Sequence, residues 1–544
     1  MKRLLSIILV LITAVSIFSM TSVVEAKAYT ITVSNGKEAT LQAALNRAKT
    51  YGSSRRPYVI RVTKSMTISR GLSVYSNTKL ISKKGVVYTR KMPHYSRNIM
   101  LRFGDLGSYS HGYKYRNITI QGGIWNGNGT KKDVGFCIFK LAHAQNICLN
   151  GCTFQRDVEG HMVEVGAVNK MTVKNCTFKD HISLDSSYEH EEALQLDINL
   201  YKTTEMGYFD KYQNKNITVK GCNFKNVGRG VGTHSSIEGL YFTNMHIDNN
   251  KFTNVKNYAV ACVNYRNSTI KNNKMNSCSG GVLFMNIKNN YKSCTNSYVI
   301  KKWKLKLNTK KDNSVISGNV IKQSSNKSDT KCIIIFGDQV PKNYKTRYIK
   351  GDHCVKGVTV SNNTIYTPKY TALLLNDAKQ CKVSDNKIYY TGKGGDYDGI
   401  FLQDKCDGTT VNKNQIKNFR DGISIIDSNS VKINSNTITS SRKNGITCEG
   451  TKGSSFKNNK ITNSKRQGMY FVRAKASVSG CKIDKVSENH GINTNSKDCN
   501  LKITGCTIKN CNKYGIALSK GKATIKDCKF SGNKSGNISR GKSK

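Results

Sequence analysis

After residue 26 the sequence has no apolar run long enough to cross a membrane as a helix. Paired CxxC motifs, which are typical of structural zinc sites, are also absent, although the chain contains 18 cysteines. No segment interleaves aromatic and basic residues in the way that nucleic-acid-binding modules do. These absences argue against a membrane span, a structural zinc ion and a nucleic-acid partner.

Acidic residues are scarce as well. The 544 residues include 34 Asp and Glu against 87 Lys and Arg, so the formal net charge is +53. The excess of lysine has two interpretations. The side chains either solvate the surface and prevent aggregation at strand edges, or they attract a polyanion.

The first 26 residues have the features of a secretory signal peptide. Lys2 and Arg3 are followed by an apolar stretch over residues 4–18 and by the cleavage-type sequence Val24-Glu25-Ala26. We expect a secreted, extracellular protein, held non-covalently if it stays at the cell surface. A secreted cationic protein meets acidic polysaccharides far more often than nucleic acid, so an acidic polysaccharide is the expected partner.

A tetrapeptide resembling a β-turn recurs fourteen times, and its second residue is always Asn or Cys. These residues are Cys152, Cys176, Cys222, Asn250, Asn273, Asn319, Asn363, Asn386, Asn414, Asn436, Asn459, Cys481, Cys506 and Cys528. Most intervals are 22 to 28 residues. Repeats of this length form solenoids, and the abundance of Asn, Gly, Thr, Val and Ile favours short strands over helices. The pattern predicts a parallel β-helix in which Asn side chains stack along one corner.

This pattern resembles the right-handed parallel β-helix of the pectate lyase and polygalacturonase superfamily. The resemblance covers the chain from about Ile31 to Phe530 and implies an all-β fold. An amphipathic segment at residues 38–50 predicts a short N-terminal capping helix. We expect a signal peptide at 1–26, the cap and first coils at 27–116, regular coils at 117–530, and a disordered basic tail at 531–544. A monomer is expected.

Six cysteines or more occupy ladder positions, where Asn is the alternative residue. We expect them to be buried free thiols, although neighbours such as Cys152 and Cys176 could also form a disulfide.

Three ladder intervals are nearly doubled, which predicts long loops at about 198–215, 288–312 and 338–356. All three loops leave the coil just after its second strand and therefore line one face. Their aromatic residues, including Tyr201 and Trp303, either stack on sugar rings or pack the loops against the coils.

Eleven of the 34 acidic residues fall between residues 157 and 210. Aligning the second strands of three consecutive coils by their inward residues predicts one edge column and two outward columns, because parallel strands stack about 4.8 Å apart. The columns are His161–Glu192–Arg229, Glu164–Gln195–Gly232 and Gly166–Asp197–His234. The glycine at position 232 predicts an open space for a ligand. Such a patch suits catalysis, but it could also be a salt-bridge network that offsets the excess of lysine.

The polygalacturonase resemblance extends to this patch. That family carries Asn-Thr-Asp, Asp-Asp, Gly-His-Gly and Arg-Ile-Lys on consecutive coils, and the matching segments here are Glu159-Gly160-His161, Glu191-Glu192, Gly228-Arg229-Gly230 and Ala261-Cys262-Val263. His161 thus stands where the family has Asp, Arg229 where it has His, and the Arg-Ile-Lys clamp is absent. The columns, the loops and the resemblance together predict catalysis by Glu192, Glu191, Glu164, Asp197, His161, Arg229 and His234, and substrate binding by Gln195, Arg266, Asn264, Tyr201 and Trp303.

Two mechanisms fit these residues. In hydrolysis, Glu192 would be the acid, with its pKa raised by Glu191, and Glu164 or Asp197 would be the base. In β-elimination, Arg229 or His161 would act near the reacting atoms, and Glu164, Glu191 and Asp197 could bind Ca²⁺. Hydrolysis of a uronate-containing polysaccharide without a cofactor is the preferred hypothesis. A lyase and a non-catalytic protein that binds anionic glycan or cell wall are the alternatives.

Overall fold

The computed structural model describes residues 28–93, 99–185, 188, 191–199, 203–237, 239–286, 304, 306, 310–325, 330–337 and 354–541. Within them the chain winds into coils, and each coil contributes a strand to three parallel sheets. The fold is a right-handed parallel β-helix, as the repeat predicted. The expected signal peptide and most of the second and third long loops lie outside the described residues.

The front sheet contains the second strand of each coil. Its strands are Leu72–Val74, Leu101–Phe103, Glu192–Asp197, Arg229–Gly232, Tyr258–Val263, Gly280–Met285, Ile333–Phe336, Leu373–Asn376, Ile400–Gln403, Ile423–Ile426, Asn444–Glu449, Gln467–Val472 and Gly536–Arg540. Four long strands begin in this sheet and end in the next one: Phe139–Asn150, Val163–Lys174, Ile492–Thr504 and Tyr514–Lys526.

The middle sheet precedes the ladder corner. Its strands are Tyr29–Val33, Tyr58–Val62, Thr78–Ser82, Tyr115–Gln121, Lys215–Lys220, Phe242–Asp248, Tyr265–Arg266, Thr269–Lys271, Val315–Ser317, Thr359–Ser361, Lys382–Ser384, Thr410–Asn412, Lys432–Asn434, Lys452–Lys457 and Lys475–Ser479. A separate two-stranded pairing joins Val355–Lys356 and Ala378–Lys379.

The rear sheet follows the ladder corner. Its strands are Met66–Ile68, Val87–Arg90, Ile124–Asn126, Thr153–Gln155, Thr177–Lys179, Asn223–Val227, Lys251–Val255, Lys274–Cys278, Val320–Gln323, Thr364–Thr367, Lys387–Tyr390, Gln415–Lys417, Thr437–Thr439, Lys460–Ser464, Lys482–Val486, Thr507–Cys511 and Lys529–Ser531.

The helix Glu38–Tyr51 covers the N-terminal end of the core, as the sequence predicted. Its apolar residues recur every three or four positions, so they form one face. Leu41, Ala44, Leu45 and Ala48 on this face are all buried. At the other end, the strand Gly536–Arg540 pairs with Tyr514–Lys526. The prediction of a disordered tail was therefore wrong for these five residues, because the last complete coil still offers a strand edge to which they can bond.

The ladder corner is confirmed. From Asn250 to Asn459 the amide Nδ2 of each ladder asparagine donates to Oδ1 of the next one along the axis, as from Asn386 to Asn414 at 2.9 Å. At Cys152, Cys222, Cys481 and Cys506 the thiol donates to the carbonyl that the amide would otherwise reach, as from Cys222 Sγ to Val173 O at 3.6 Å. The described cysteines are free thiols.

Inside the solenoid, equivalent apolar residues stack on one another. Phe154, Phe178, Phe224 and Phe252 form a column with ring centroids 4.7 to 5.1 Å apart. Among the described residues, no helix combines the length and the apolar composition needed to cross a membrane.

Replacement of Asn386 by alanine tests the ladder. Its amide donates to Val360 O, and its Oδ1 accepts from the backbone N of Asn363. Both backbone groups are buried and would lose their partner, at about 1–3 kcal/mol each. We expect Asn386→Ala to lower the free energy of unfolding in urea by about 2–6 kcal/mol, and Asn386→Cys to lower it less. The exposed neighbour Lys387→Ala is the control, and equal stability of the two alanine variants would refute the ladder's role.

Candidate functional site

The front sheet brings the expected patch together. Glu164 pairs with Gln195, and Gln195 pairs with Gly232 on the following coil. Glu192 pairs with Arg229 in the same way. The register that was predicted from the inward residues is therefore confirmed for these pairs, and it places the acids, the histidines and the arginine on three neighbouring coils.

Glu192 lies at the centre of this cluster, and its side chain has no exposed surface. Its Oε1 accepts a hydrogen bond from Arg229 Nη1 at 3.0 Å, and its Oε2 accepts one from His234 Nδ1 at 2.9 Å. Burial alone would raise the pKa of Glu192, but the charges of His234 and Arg229 hold it well below its usual value. Glu192 is therefore a buried anion, and the prediction that Glu191 raises its pKa was wrong.

His234 lies between two carboxylates. Besides Glu192, it contacts Asp197, with 3.7 Å between His234 Nε2 and Asp197 Oδ2. Burial would lower the pKa of His234, but Asp197 and Glu192 raise it to about 9, so the ring is protonated at neutral pH. Its side chain keeps 20% of its surface exposed. His234 is thus a cation at the surface of a buried acidic pair.

Asp197 is held by three N–H groups. Gln195 Nε2 and the backbone N of Ser235 each donate to Oδ2 at 2.9 Å, and the backbone N of His234 donates to Oδ1 at 3.0 Å. Burial raises the pKa of Asp197 to about 7, with the charge of His234 opposing this shift and that of Glu192 adding to it.

His161 is the neutral member of the cluster. Its Nδ1 lies 3.2 Å from the backbone carbonyl oxygen of Glu192. Since a carbonyl only accepts, the neutral ring carries its proton on Nδ1 and has a lone pair on Nε2. Burial lowers the pKa of His161 below its ordinary value. The side chain is 12% exposed, and its ring centroid is 5.6 Å from that of His234.

Glu164 is bound to a residue that the sequence reasoning missed. Lys140 lies on the preceding coil in register with Glu164, and its Nζ is 3.2 Å from Glu164 Oε2. Burial would raise the pKa of Glu164, but Lys140 and His161 keep it below its usual value. The same alignment of strands, extended by one coil, could have identified Lys140.

Glu191 does not belong to the cluster. Its carboxylate accepts from His181 Nε2 at 3.0 Å and from Ser183 Oγ at 2.6 Å. His181 Nδ1 lies 2.9 Å from Asp157 Oδ1, and both Asp157 and His181 are buried. Glu191 precedes the strand Glu192–Asp197, and His181 and Ser183 hold its carboxylate apart from that of Glu192. Sequence reasoning also missed His181.

Two further candidates lie elsewhere. Arg266 is in the middle sheet, where its Nε is 3.1 Å from Asp312 Oδ1 and its guanidinium covers the ring of Tyr241. Asn264 is buried, and its amide donates to Ser236 Oγ. Tyr201 and Trp303, the other predicted substrate-binding residues, lie outside the described residues.

The expected open space at Gly232 is filled. A Cβ at this position would lie 2.9 Å from Glu192 Cγ. Gly166 is restricted in the same way, because a Cβ there would meet the side chains of Asn199 and Met206. The described part of the first long loop therefore folds back over the front sheet, which explains why these outward side chains are largely buried.

Two groups of ligand-type atoms could meet a metal ion. Atoms of His161, Glu192 and His234 lie within 4.8 Å of one another, as do carboxylate oxygens of Glu159, Asp185 and Glu191. In the first group Arg229 and His234 already neutralise Glu192, so a metal fits poorly. In the second group, hydrogen bonds from backbone N–H groups, Ser183 and His181 occupy the carboxylates of Glu159 and Glu191. The predicted calcium ligands Glu164, Glu191 and Asp197 do not converge.

The family model described as "Right handed beta helix region" matches residues 312–451 and 398–544. No curated protein matches the sequence. Solved structures with a similar fold include PfbA, a surface adhesin of Streptococcus pneumoniae, with 16% identity, a TM-score of 0.49, and coverage of 79% of this chain and 92% of that one.

The tailspike protein of Escherichia coli bacteriophage HK620 in complex with a pentasaccharide has 14% identity and a TM-score of 0.44, and covers 84% of this chain and 74% of that one. The A-module of the mannuronan C-5 epimerase AlgE6 from Azotobacter vinelandii has 9% identity and a TM-score of 0.25, and covers 90% and 94%. At these identities the similarity concerns the fold.

Replacement of His181 by glutamine tests the buried ion network. Burial lowers the pKa of His181, but Asp157 and Glu191 raise it to about 10, above its ordinary value of 6.5. Its stabilisation is therefore complete below about pH 6.5 and is lost as the pH rises through about 10. His181→Gln should lower the free energy of unfolding by about 3–5 kcal/mol near neutral pH, because two buried carboxylates lose their cation.

The measurement is urea unfolding at several pH values between these limits. The variant should lack the alkaline decline that His181 gives the parent protein. His246→Gln, at a half-buried histidine of the middle sheet, is the matched control. An unchanged pH slope in His181→Gln would contradict the assignment.

Proposed function

We propose that this protein is a secreted enzyme that cleaves a uronate-containing polysaccharide by β-elimination at the front-sheet cluster. The observation that carries the proposal is the pair of partly exposed histidines on either side of Glu192. One is neutral with a lone pair on Nε2, and the other is held as a cation. Neighbouring titratable groups with pKa values pushed in opposite directions are typical of an acid–base pair.

His161 is the proposed base. Because Nδ1 donates to the carbonyl of Glu192, the ring is oriented with Nε2 as its basic atom. Among the residues that the structure describes, none donates a hydrogen bond to Nε2. A neutral imidazole at pH 7 can take the C5 proton of a uronate, which is acidified by the adjacent carboxylate group.

His234 and Arg229 supply the positive charge. The proton on C5 passes to His161 Nε2, the electron pair of the C5–H bond forms the C4=C5 double bond, and the C4–O bond breaks. The departing glycosidic oxygen takes a proton from His234, and solvent afterwards returns the proton from His161 to His234. During this step Arg229 and His234 stabilise the negative charge on the uronate carboxylate.

Glu192 and Asp197 act as positioning residues in this proposal. Glu192 has no exposed surface and so cannot touch a polysaccharide directly. Its charge, together with that of Asp197, keeps His234 protonated and oriented. Because Glu192 is buried, the structure fits elimination better than the hydrolysis that the sequence favoured.

Hydrolysis is the second candidate, and one observation favours it. The pKa of Asp197 is raised to about 7 beside Glu192, whose pKa is lowered. Two neighbouring carboxyl groups, one protonated and one ionised, are what glycoside hydrolysis requires. Binding of anionic glycan without cleavage is the third candidate, supported by the net charge of +53.

The three functions give different products. We would incubate the mature protein with a panel of polyuronates and neutral glycans, with and without Ca²⁺, and follow both reducing ends and the absorbance of unsaturated uronates. Elimination predicts both signals, and a loss of at least about 100-fold in His161→Gln and in His234→Gln. His246→Gln is the control and should retain full activity. Reducing ends without unsaturated product would establish hydrolysis, and binding without either signal would establish a glycan-binding protein.

The pH dependence of kcat/KM is a separate prediction. His161 acts as a base only above its pKa, which lies below the ordinary 6.5, and His234 acts as an acid only below about 9. Activity should therefore fall on the acid side below about pH 6.5 and on the alkaline side near pH 9. An alkaline limit that stays in place when Asp197 is replaced by Asn would contradict the role of the network, since that change should move the limit downwards.

A further inference from the structure

A groove of about 860 Å³ lies on the outside of the rear sheet, away from the front-sheet cluster. Its lining includes Asn254, Ser277, Lys322 and Tyr366 from four consecutive coils, and Thr391 from the fifth. Because the front and rear sheets are different faces of the solenoid, a ligand in this groove would not occupy the proposed reaction site.

The parallel register explains why the surface is hollow here. Lys322 pairs with Tyr366, and Tyr366 pairs with Tyr389. On the two coils before Lys322 the residues in register are Asn276 and Thr253. Their neighbours Ser277 and Asn254 line the groove, and all four side chains are short. Large rings on two coils beside short side chains on two others produce a step in the surface, and Tyr366 stands at that step.

The ring of Tyr366 lines the groove and is held in place by a second ring. Its ring is stacked on that of Tyr389, with centroids 5.2 Å apart and planes inclined by 19°. Tyr366 lines the groove and Tyr389 does not, and the in-register neighbour of Tyr366 on its other side is Lys322. A ring held in place from behind loses little conformational freedom when the apolar face of a sugar packs against its front.

The polar groups of the groove define the ligand further. Its described lining contains hydroxyl and amide side chains and one lysine, Lys322, but no carboxylate. Hydroxyls and amides suit the hydroxyl groups of a sugar, and one exposed ammonium suits an occasional carboxylate. A nucleic acid carries a phosphate on every nucleotide and would require several cations along its path.

We propose that this groove is a second, non-catalytic binding site for a uronate-bearing oligosaccharide segment. Tyr366 stacks on one sugar ring, Lys322 pairs with a uronate carboxylate, and the hydroxyl and amide groups contact the remaining hydroxyls. The site would hold the polymer on the rear face while the front sheet acts on another part of it. The inference rests on the uronate-containing substrate of the proposed function, but not on how the front sheet cleaves that substrate.

Calorimetric titration of the mature chain tests the groove. The His161→Gln variant serves as background so that the ligand survives, and the probes are oligogalacturonate, oligomannuronate and a neutral cello-oligosaccharide. Adding Tyr366→Ala should weaken binding of the preferred uronate at one site by about threefold to tenfold. Tyr366→Phe retains the ring face and should bind normally. Lys322→Ala should weaken uronate binding and leave any binding of the neutral probe unchanged.

Lys417→Ala is the matched control, because Lys417 lies in the same outward column one coil beyond Tyr389 and outside the groove. Thermal unfolding of each variant verifies folding, and exposed Lys322 keeps the test valid if Tyr366→Ala is unstable. If none of the probes binds, or if binding is unaffected by both Tyr366→Ala and Lys322→Ala, the proposal is overturned. Failure of the front-sheet function would instead appear in the cleavage assay, with the rear-sheet affinity intact.

Discussion

The structure depends on one constraint, the parallel register that repeats from coil to coil at a spacing of about 4.8 Å. It places each residue against its equivalents in the coils before and after. Like residues consequently form columns: asparagines share hydrogen bonds along the corner, and phenylalanines stack within the core. Unlike charges at equivalent positions neutralise one another, as Glu192 and Arg229 do.

Charge neutralisation across coils also explains how a chain with few acidic residues buries several of them. A buried carboxylate is tolerated only with a cation or several N–H donors beside it. His181 neutralises Asp157 and Glu191, and Arg229 together with His234 neutralises Glu192. The same contacts that make Glu192 tolerable in the interior set the protonation of His234. Structural and chemical roles are therefore held in one hydrogen-bonded network.

The repeat made the fold, the ladder corner and the strand register predictable, because a period-two strand with known inward residues fixes its neighbours. The alignment correctly brought together His161, Glu192 and Arg229. It could not show that Glu191 turns towards His181, or that Glu192 occupies the space beside Gly232, because both depend on which side chains fill local gaps. Nor could it show that residues of the first long loop, such as Asn199 and Met206, cover the front sheet.

That covering decides which groups can reach a polymer. Glu192 begins its strand and Asp197 ends it. The loop and the next coil bury both carboxylates, so contact with solvent passes to the imidazoles at the rim. In the proposed mechanism, a network with buried carboxylates and partly exposed histidines transfers protons through the histidines, and its carboxylates tune their pKa values. The carboxylates are more deeply buried than the histidines. This difference in burial, more than the identity of the acids, therefore favours elimination over direct carboxylate catalysis. The described lining residues of the rear-sheet groove contain no such network. The binding proposed there therefore depends on direct contacts of Tyr366 and Lys322 with the sugar.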